Sequence, residues 1–297
     1  MSVWINKNKS QVKLIAEIGC NHMGNKDYAI KMIEIASNFC NADIIKFQKR
    51  NPKELLTHVE YNSPHPNPSN SFGKNYGKHR EFLEFDIQFH KKLKKKCESL
   101  RKVYSSSVWD ITSAKEIISL RPVLIKIPSA HNMDFPLLEY LCKFYNKQIH
   151  VSLGMTNYKE ELEIIKFFKK RNKLKNLVLY ACTSSYPVKS EDISMLEVKR
   201  LVKDYTNKIH SIGFSGHHNG IGIDNIAISL GAKFIERHFT LDRTWKGTDH
   251  AASLEPDGLR RLKTVLLETE LALSYKKKPI LDCELEQRKK LKKIVRF

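Results

Sequence analysis

No apolar run in this chain approaches the roughly 20 residues needed to cross a bilayer. Its opening, MSVWINKNKSQVKLIAEIG, also lacks the continuous apolar segment of a secretory signal. A globular, cytoplasmic protein is the expectation. The six cysteines, Cys20, Cys40, Cys97, Cys142, Cys182 and Cys283, form no CxxC pair. That fits reduced, buried thiols without a chemical role better than a disulfide framework or a zinc site. Acidic residues are scarce beside basic ones, 32 against 52, leaving a formal charge of +20. The imbalance favours anionic partners without naming them. The excess collects in helical-looking stretches such as HKKLKKKCESLRK (90–102), FFKKRNKLK (167–175) and EQRKKLKKIVRF (286–297). With no nucleic-acid motif beside them, these read as solvated helix faces, and no nucleic-acid partner is expected.

What the sequence does have is alternation. Across 297 residues, 41% of them apolar, strand-like runs occur at 12–19, 43–48, 103–108, 123–129, 149–155, 177–184, 208–216 and 234–239. Segments of helical spacing stand between them, as in YAIKMIEIASNF (28–39), YKEELEIIKFFKKR (158–171) and IGIDNIAISLGA (221–232), and DGLRRLKTVLLETELALSY (257–275) follows the last. Eight strands each followed by a helix predict a single-domain (β/α)8 TIM barrel over residues 1–275, with a doubly wound sheet as the fallback. One connection is unusually long. Residues 51–85, with NSPHPNPSNS at their centre, leave the carboxyl end of the second strand and read as a lid over a functional site. The basic tail, 276–297, is too short for a second domain.

In such a barrel the strand ends carry the chemistry. Here they carry Glu17, Asn21 and His22 on the first strand, Lys46 and Gln48 on the second, and Ser105 to Ser107 on the third. Lys126 and Ser129 follow on the fourth, then Thr183, Ser184 and Tyr186, then Ser215 and His217, then Glu236 and His238. A lysine inside IIKFQ or LIKIPS needs a partner or an anion once buried. Two such lysines with clustered hydroxyls point to a bound phosphate or carboxylate, and pairing with Glu17 or Glu236 is the plainer alternative. His217 and His238 end two consecutive strands beside Glu236 and Asp249. Two neutral imidazoles there would hold a divalent cation with positions open to substrate.

The segments AEIGCNHMG, IIKFQ, KIPSA, SLGM, CTSSYP, GFSGH, ERHFTLDRTWKGTDHAASLEP and, in the lid, YGKHREFLEF resemble the sialic acid synthase family. That family comprises the N-acetylneuraminate synthases and their legionaminic and pseudaminic acid relatives. The resemblance implies condensation of phosphoenolpyruvate with an N-acetylmannosamine-type sugar, with release of phosphate. It also implies a divalent metal, Mn2+ before Mg2+ or Co2+, held by His217 and His238. By the same resemblance Lys46, Ser107, Lys126, Ser129, Ser184 and Ser215 surround the phosphoenolpyruvate. Glu17, Gln48, Tyr186 and Asp249 fall on the sugar side, Glu236 orients water or moves a proton, and Arg80 and Tyr76 reach substrate from the lid.

Departures are few. Many members have asparagine at Ser184, threonine at Ser107 and STGM for SLGM. Full-length relatives add an antifreeze-like domain that crosses a swapped dimer, and this sequence stops short of it. A homodimer, or a separate protein supplying that domain, is therefore an open expectation. A 2,4-diacetamido hexose or a phosphorylated sugar is the alternative acceptor, and a non-catalytic barrel binding a partner through its basic surface is the remaining one.

Overall fold

The computed structural model describes residues 11–294. Strands β1 (Lys13–Gly19), β2 (Ile44–Lys49), β3 (Val103–Val108), β4 (Leu124–Ile127), β5 (Gln148–Ser152), β6 (Leu177–Cys182), β7 (Ser211–Gly216) and β8 (Phe234–His238) run parallel in chain order. β8 pairs back onto β1, closing the barrel, so the (β/α)8 expectation is met and the open sheet is excluded. Three predicted strands end early. Residues 128–129, 153–155 and 183–184 leave the ladder and turn over the rim. Pro128 cannot donate to a ladder, and Gly154 sits where any Cβ would strike Ser184 Oγ at 2.2 Å and Ser129 Oγ at 2.6 Å.

The outer ring contains α1 (Lys26–Glu34), α2 (Pro52–Leu55), α3 (His58–Asn62), α4 (Tyr76–Leu83), α5 (Ile87–Ser99), α6 (Ile111–Ser119) and α7 (Phe135–Phe144). It continues with α8 (Tyr158–Lys170), α9 (Leu196–Tyr205), α10 (Asp224–Ser229) and α11 (Pro256–Ala272), and the exposed α12 (Leu285–Leu291) lies in the tail. Short polar side chains start many of these helices just after a strand. Asn25, Asp110, Asp134 and Asn157 each accept from backbone N–H groups of the first turn. Caps at that end keep the strand-to-helix turns tight around the barrel mouth. None of the described helices is long and apolar enough to cross a membrane.

Because both faces of these strands are covered, they read as apolar runs. The two faces nevertheless pack separately. Outward residues such as Leu14, Ile45, Ile125 and Leu179 join the helices in the main core. Inward residues Ile15, Ile44, Leu124, Val178, Tyr180 and Phe234 form a second cluster that plugs the amino end of the barrel. Two residues further along, the inward positions become Glu17, Lys46, Lys126 and Glu236.

The long segment after β2 is more ordered than its composition indicated. It folds into α2, α3, a 3-10 turn at Pro68–Asn70 and α4. Thr57 and Glu60 make a reciprocal capping box on α3, and Asn51 N–H donates to Asp110 at 2.7 Å, anchoring the segment's start to the β3 exit. Phe72, His79, Arg80 and Leu83 from this segment cover the mouth.

Candidate active site

The inward charges form one compensated cluster. Lys46 Nζ pairs with Glu17, reaches Glu236 at 3.5 Å and donates to Ser107 Oγ at 2.8 Å. Lys126 Nζ meets Glu236 Oε2 at 2.9 Å and lies 3.8 Å above the Tyr180 ring. Thus the plainer reading of the two lysines, pairing with glutamates, is present in the structure. It does not displace the functional reading, because the paired groups line a cavity of about 290 Å³ open at the carboxyl end of the strands. Two lysines and two glutamates buried together are tolerable only because each charge has a partner.

The two carboxyl groups differ. Burial pushes Glu17 up, against the pull of Lys46. Burial acts the same way on Glu236, yet Lys126 and Lys46 hold it down to about 2. Burial lowers Lys126, whereas Lys46, against its own burial, is raised by Glu17 and Glu236. Of the two carboxyls Glu17 is the more easily protonated and Glu236 the more firmly ionised, a difference in the direction that acid–base chemistry uses.

His217 and His238 converge, with ring centroids 5.4 Å apart, and the Tyr186 ring covers His217 at 4.2 Å. Nδ1 of His217 bonds the Thr183 carbonyl at 2.9 Å, fixing the ring and leaving Nε2 free. Burial, helped by His238, pushes His217 down to about 3, so its imidazole is neutral. Nδ1 of His238 is buried and has no hydrogen-bond partner among the described residues. These are ligand-ready donors. Among the described residues no group of three His, Cys, Asp or Glu side chains is placed to hold a metal ion. A cation on the two histidines would therefore depend on water or substrate for the rest of its shell, an open arrangement that fits catalysis better than structure.

The remaining predicted residues fall around this cavity. Gln48, Ser129, Ser184, Ser215, Asp249 and Arg80 all line it. Gln48 donates to Glu17 at 2.8 Å, Ser215 approaches Glu236 at 3.4 Å, and Gly154 N–H donates to Ser129 at 3.1 Å. Burial would raise Asp249, but His238 and Arg50 keep it low. Some strand-end residues do not join. Ser105 bonds the Leu124 carbonyl, Ser106 bonds the Ser107 carbonyl, and His22 stacks on Phe85 at 4.1 Å in the outer core. Thr183 uses its hydroxyl on Asp192, and Tyr76 accepts from Arg80 Nε at 3.0 Å outside the main cavity. All six cysteines are free, but only Cys40, Cys97 and Cys142 are buried as expected, whereas Cys20 and Cys182 are partly exposed and Cys283 is exposed.

Two arginines escaped the sequence reading. Arg50 is buried at the rim, donating to Gln48 and to Cys20 Sγ at 3.1 Å, pairing with Glu84 at 3.4 Å and stacking on Trp109 at 4.1 Å. Arg237 alternates outward between Glu236 and His238. Its guanidinium bonds Asp224 at 2.6 Å, the Gly220 carbonyl at 2.9 Å and the His218 carbonyl at 2.5 Å, clamping the loop that carries His217. Period-two alternation through ERHF carried the second signal.

A (β/α)8 barrel whose mouth gathers compensated lysines and glutamates, a ring of hydroxyls and two converging histidines is an enzyme built to handle a small charged substrate. The chain belongs to the NeuB family, whose model matches residues 32–278. It is 35% identical over 284 residues to the N-acetylneuraminate-9-phosphate synthase of Homo sapiens, spanning 95% of this chain and 77% of that protein. It is 33% identical to the N,N'-diacetyllegionaminic acid synthase of Campylobacter jejuni, spanning 88% and 77% respectively. A crystal structure of N-acetylneuraminic acid synthetase from Leptospira borgpetersenii, in complex with citrate, superposes with a TM-score of 0.79 at 27% identity, covering 97% of this chain and 96% of that one. By family membership the chain is an enzyme, a transferase of the sialic acid synthase type.

Proposed function

We propose that this enzyme condenses phosphoenolpyruvate with the open-chain form of an N-acylated amino sugar of the N-acetylmannosamine type, giving a nonulosonic acid and phosphate. The observation that carries this reading is the Lys46–Glu17–Glu236–Lys126 cluster standing beside the His217–His238 pair in one mouth. Lys126, Ser129, Ser184 and Ser215 supply donors for a phosphate and a carboxylate, and Lys46 with Ser107 adds to them. When Glu17 carries a proton the cluster has one net positive charge, which favours a multiply anionic substrate.

The enol carbon attacks the aldehyde carbon, forming the new C–C bond and leaving positive charge at the phosphate-bearing carbon. Water adds there. The tetrahedral intermediate then breaks its bond from carbon to enol oxygen by the family's C–O route, so phosphate departs with that oxygen. Glu236, held ionised, orients the water and stabilises the developing charge, and Glu17 delivers a proton to the new hydroxyl on the sugar side. Gln48, Tyr186, Asp249 and Arg80 hold the sugar. His217 and His238 would hold a divalent cation, with Mn2+ the first choice, and it would supply Lewis-acid chemistry toward the aldehyde.

The deciding experiment is phosphate release from phosphoenolpyruvate with N-acetylmannosamine, its 6-phosphate or 2,4-diacetamido hexoses, with Mn2+ and with a chelator. Release that needs both acceptor and cation is expected. Release without an acceptor, or undiminished by chelator, would overturn the reading. The relatives' names make the phosphorylated and the diacetamido sugars the two alternatives to include.

A further inference from the structure

The connections that enter β3 to β8 all lie on the amino face of the barrel, opposite the mouth. Each exposes a cation, in turn Arg101, Arg121, Lys147, Lys175, Lys208 and Lys233. The one acid in the connections entering β2 to β8 is Asp43, and Lys263 Nζ neutralises it at 2.6 Å. Among the described residues none of the six cations pairs with a carboxylate. Lys147 bonds the Arg121 carbonyl at 3.1 Å, Lys175 the Asn207 carbonyl at 2.8 Å and Lys233 the Gln11 side chain at 3.3 Å, all neutral acceptors. The mouth face mixes signs instead. There Lys189 precedes Glu191 and Asp192, and Asp242 and Asp249 bracket Arg243 and Lys246.

Helix ends account for part of this asymmetry. Helices α5 to α10 each point a carboxyl end at the amino face, and a cation there complements about half a negative charge. A whole charge on each connection leaves a surplus. Hydrocarbon is exposed beside it. Phe39, at the end of the helical turn that extends α1, and Phe144, at the end of α7, are each 50% exposed, with Arg260 5.5 Å and Lys143 5.3 Å over their rings. Glu270 accepts from the N–H groups of Gln11 and Val12 just ahead of β1, which brings the end of α11 to this face, and there Leu271, Leu273 and Tyr275 stand exposed.

We infer that the amino face rests on an anionic bilayer surface, with the mouth turned toward solvent. Cations beside exposed aromatic and aliphatic side chains suit a headgroup layer, where the charges meet lipid phosphate and carboxylate while the hydrocarbon enters the acyl boundary. A nucleic acid supplies phosphates but nothing for Leu271 and Leu273 to enter. Six charges on six separate connections match a plane of charge rather than a single bound anion.

The test is flotation of the whole protein with vesicles of phosphatidylcholine alone and of phosphatidylcholine carrying about 30% phosphatidylserine. Binding is expected to the anionic vesicles only, and should be lost by roughly 0.5 M salt, where screening leaves charges a reach of about 4 Å. Lys147→Gln, Lys175→Gln and Lys208→Gln combined should weaken the partition coefficient about a hundredfold, a factor of about five for each charge near such a surface. Phe144→Ser with Tyr275→Ser should weaken binding as well while leaving its salt dependence unchanged. Circular dichroism and thermal midpoint should stay put in both variants.

No binding to the anionic vesicles would overturn the inference, and so would undiminished binding by the triple glutamine variant. If that variant fails to fold, the paired serine variant and the salt dependence decide. A short DNA duplex that displaces the protein from the vesicles and binds the paired serine variant at full strength would also overturn it, by making this face one for nucleic acid. These measurements stand apart from the reaction proposed above.

Discussion

The two ends of the barrel interior are built from the same strands, two residues apart, and they are chemical opposites. At the amino end Ile15, Ile44, Leu124 and Phe234 close the barrel with hydrocarbon. At the carboxyl end Glu17, Lys46, Lys126 and Glu236 close it with charge. Burying hydrocarbon stabilises the fold at about 25 cal/mol per Å². Burying paired charge contributes little net stability and becomes strongly unfavourable when one partner is removed. The amino end holds the barrel together, and the carboxyl end spends part of that stability on a site.

The sharpest way to break this division is at the histidines. If His217 and His238 hold the proposed cation, His217→Ala and His238→Ala should each lower turnover by about a thousandfold or more, because a Lewis-acid cation is worth several kcal/mol. Mn2+ affinity, read by paramagnetic resonance of the free ion, should fall with it, while the thermal midpoint of the metal-free protein changes little. Full Mn2+ affinity in both variants would mean the ligands are elsewhere. Next in size is Lys126→Ala, which removes a cation from the proposed anion site and leaves Glu236 leaning on Lys46 alone. The KM for phosphoenolpyruvate should rise about 30-fold or more, as for loss of a charge-assisted hydrogen bond, with a much smaller change for the sugar. Equal changes for both substrates would remove Lys126 from the phosphate side.

The opposite perturbation belongs at the other end. Leu124→Ala, two residues before Lys126 and fully buried, should destabilise the protein by about 2–5 kcal/mol in urea unfolding. KM and kcat per folded molecule should stay unchanged. A large KM effect from Leu124→Ala would show that the two ends are coupled and that the contrast drawn above is too clean.

How much of this was readable beforehand follows from which interactions are local. Strand number and helix alternation lie in the order of residues, so the barrel was legible. So was the placement of Glu17, Lys46, Lys126, His217, Glu236 and His238, since a barrel carries strand ends to one rim. What was not legible depends on contacts distant in sequence. Arg50 becomes a site residue only through Glu84 and Trp109. Ser106 looked equivalent to Ser107, yet alternation turns it away from the cavity. The order of residues 51–85 comes from an α3 capping box and from Asp110 reaching back to Asn51, features that a scan for apolar periodicity does not register. The separation of Glu17 from Glu236 in acidity likewise depends on which lysine each one meets.

The smallest effect distinguishes charge stored at the rim from neutrality enforced in the outer core. His90 lies fully buried on α5, bonded to the Tyr104 hydroxyl at 2.7 Å. Burial, with some help from Lys49, pushes it down to about 3. The unfolded chain protonates this ring near pH 6.5. Between those values the unfolded state binds a proton that the folded state refuses, so the contribution is complete above pH 6.5 and is lost as the pH falls toward 3. His90→Phe keeps the ring shape but forfeits the Tyr104 bond, a loss independent of pH. In urea unfolding between pH 6 and 4, its stability should therefore start lower yet decline less steeply, by about 1.4 kcal/mol per pH unit, the slope of one proton. An unchanged slope would mean that the ring already charges in the fold. The acid sensitivity would then belong to the carboxylates of the rim, and the division between a neutral core and a charged mouth would have to be redrawn around them.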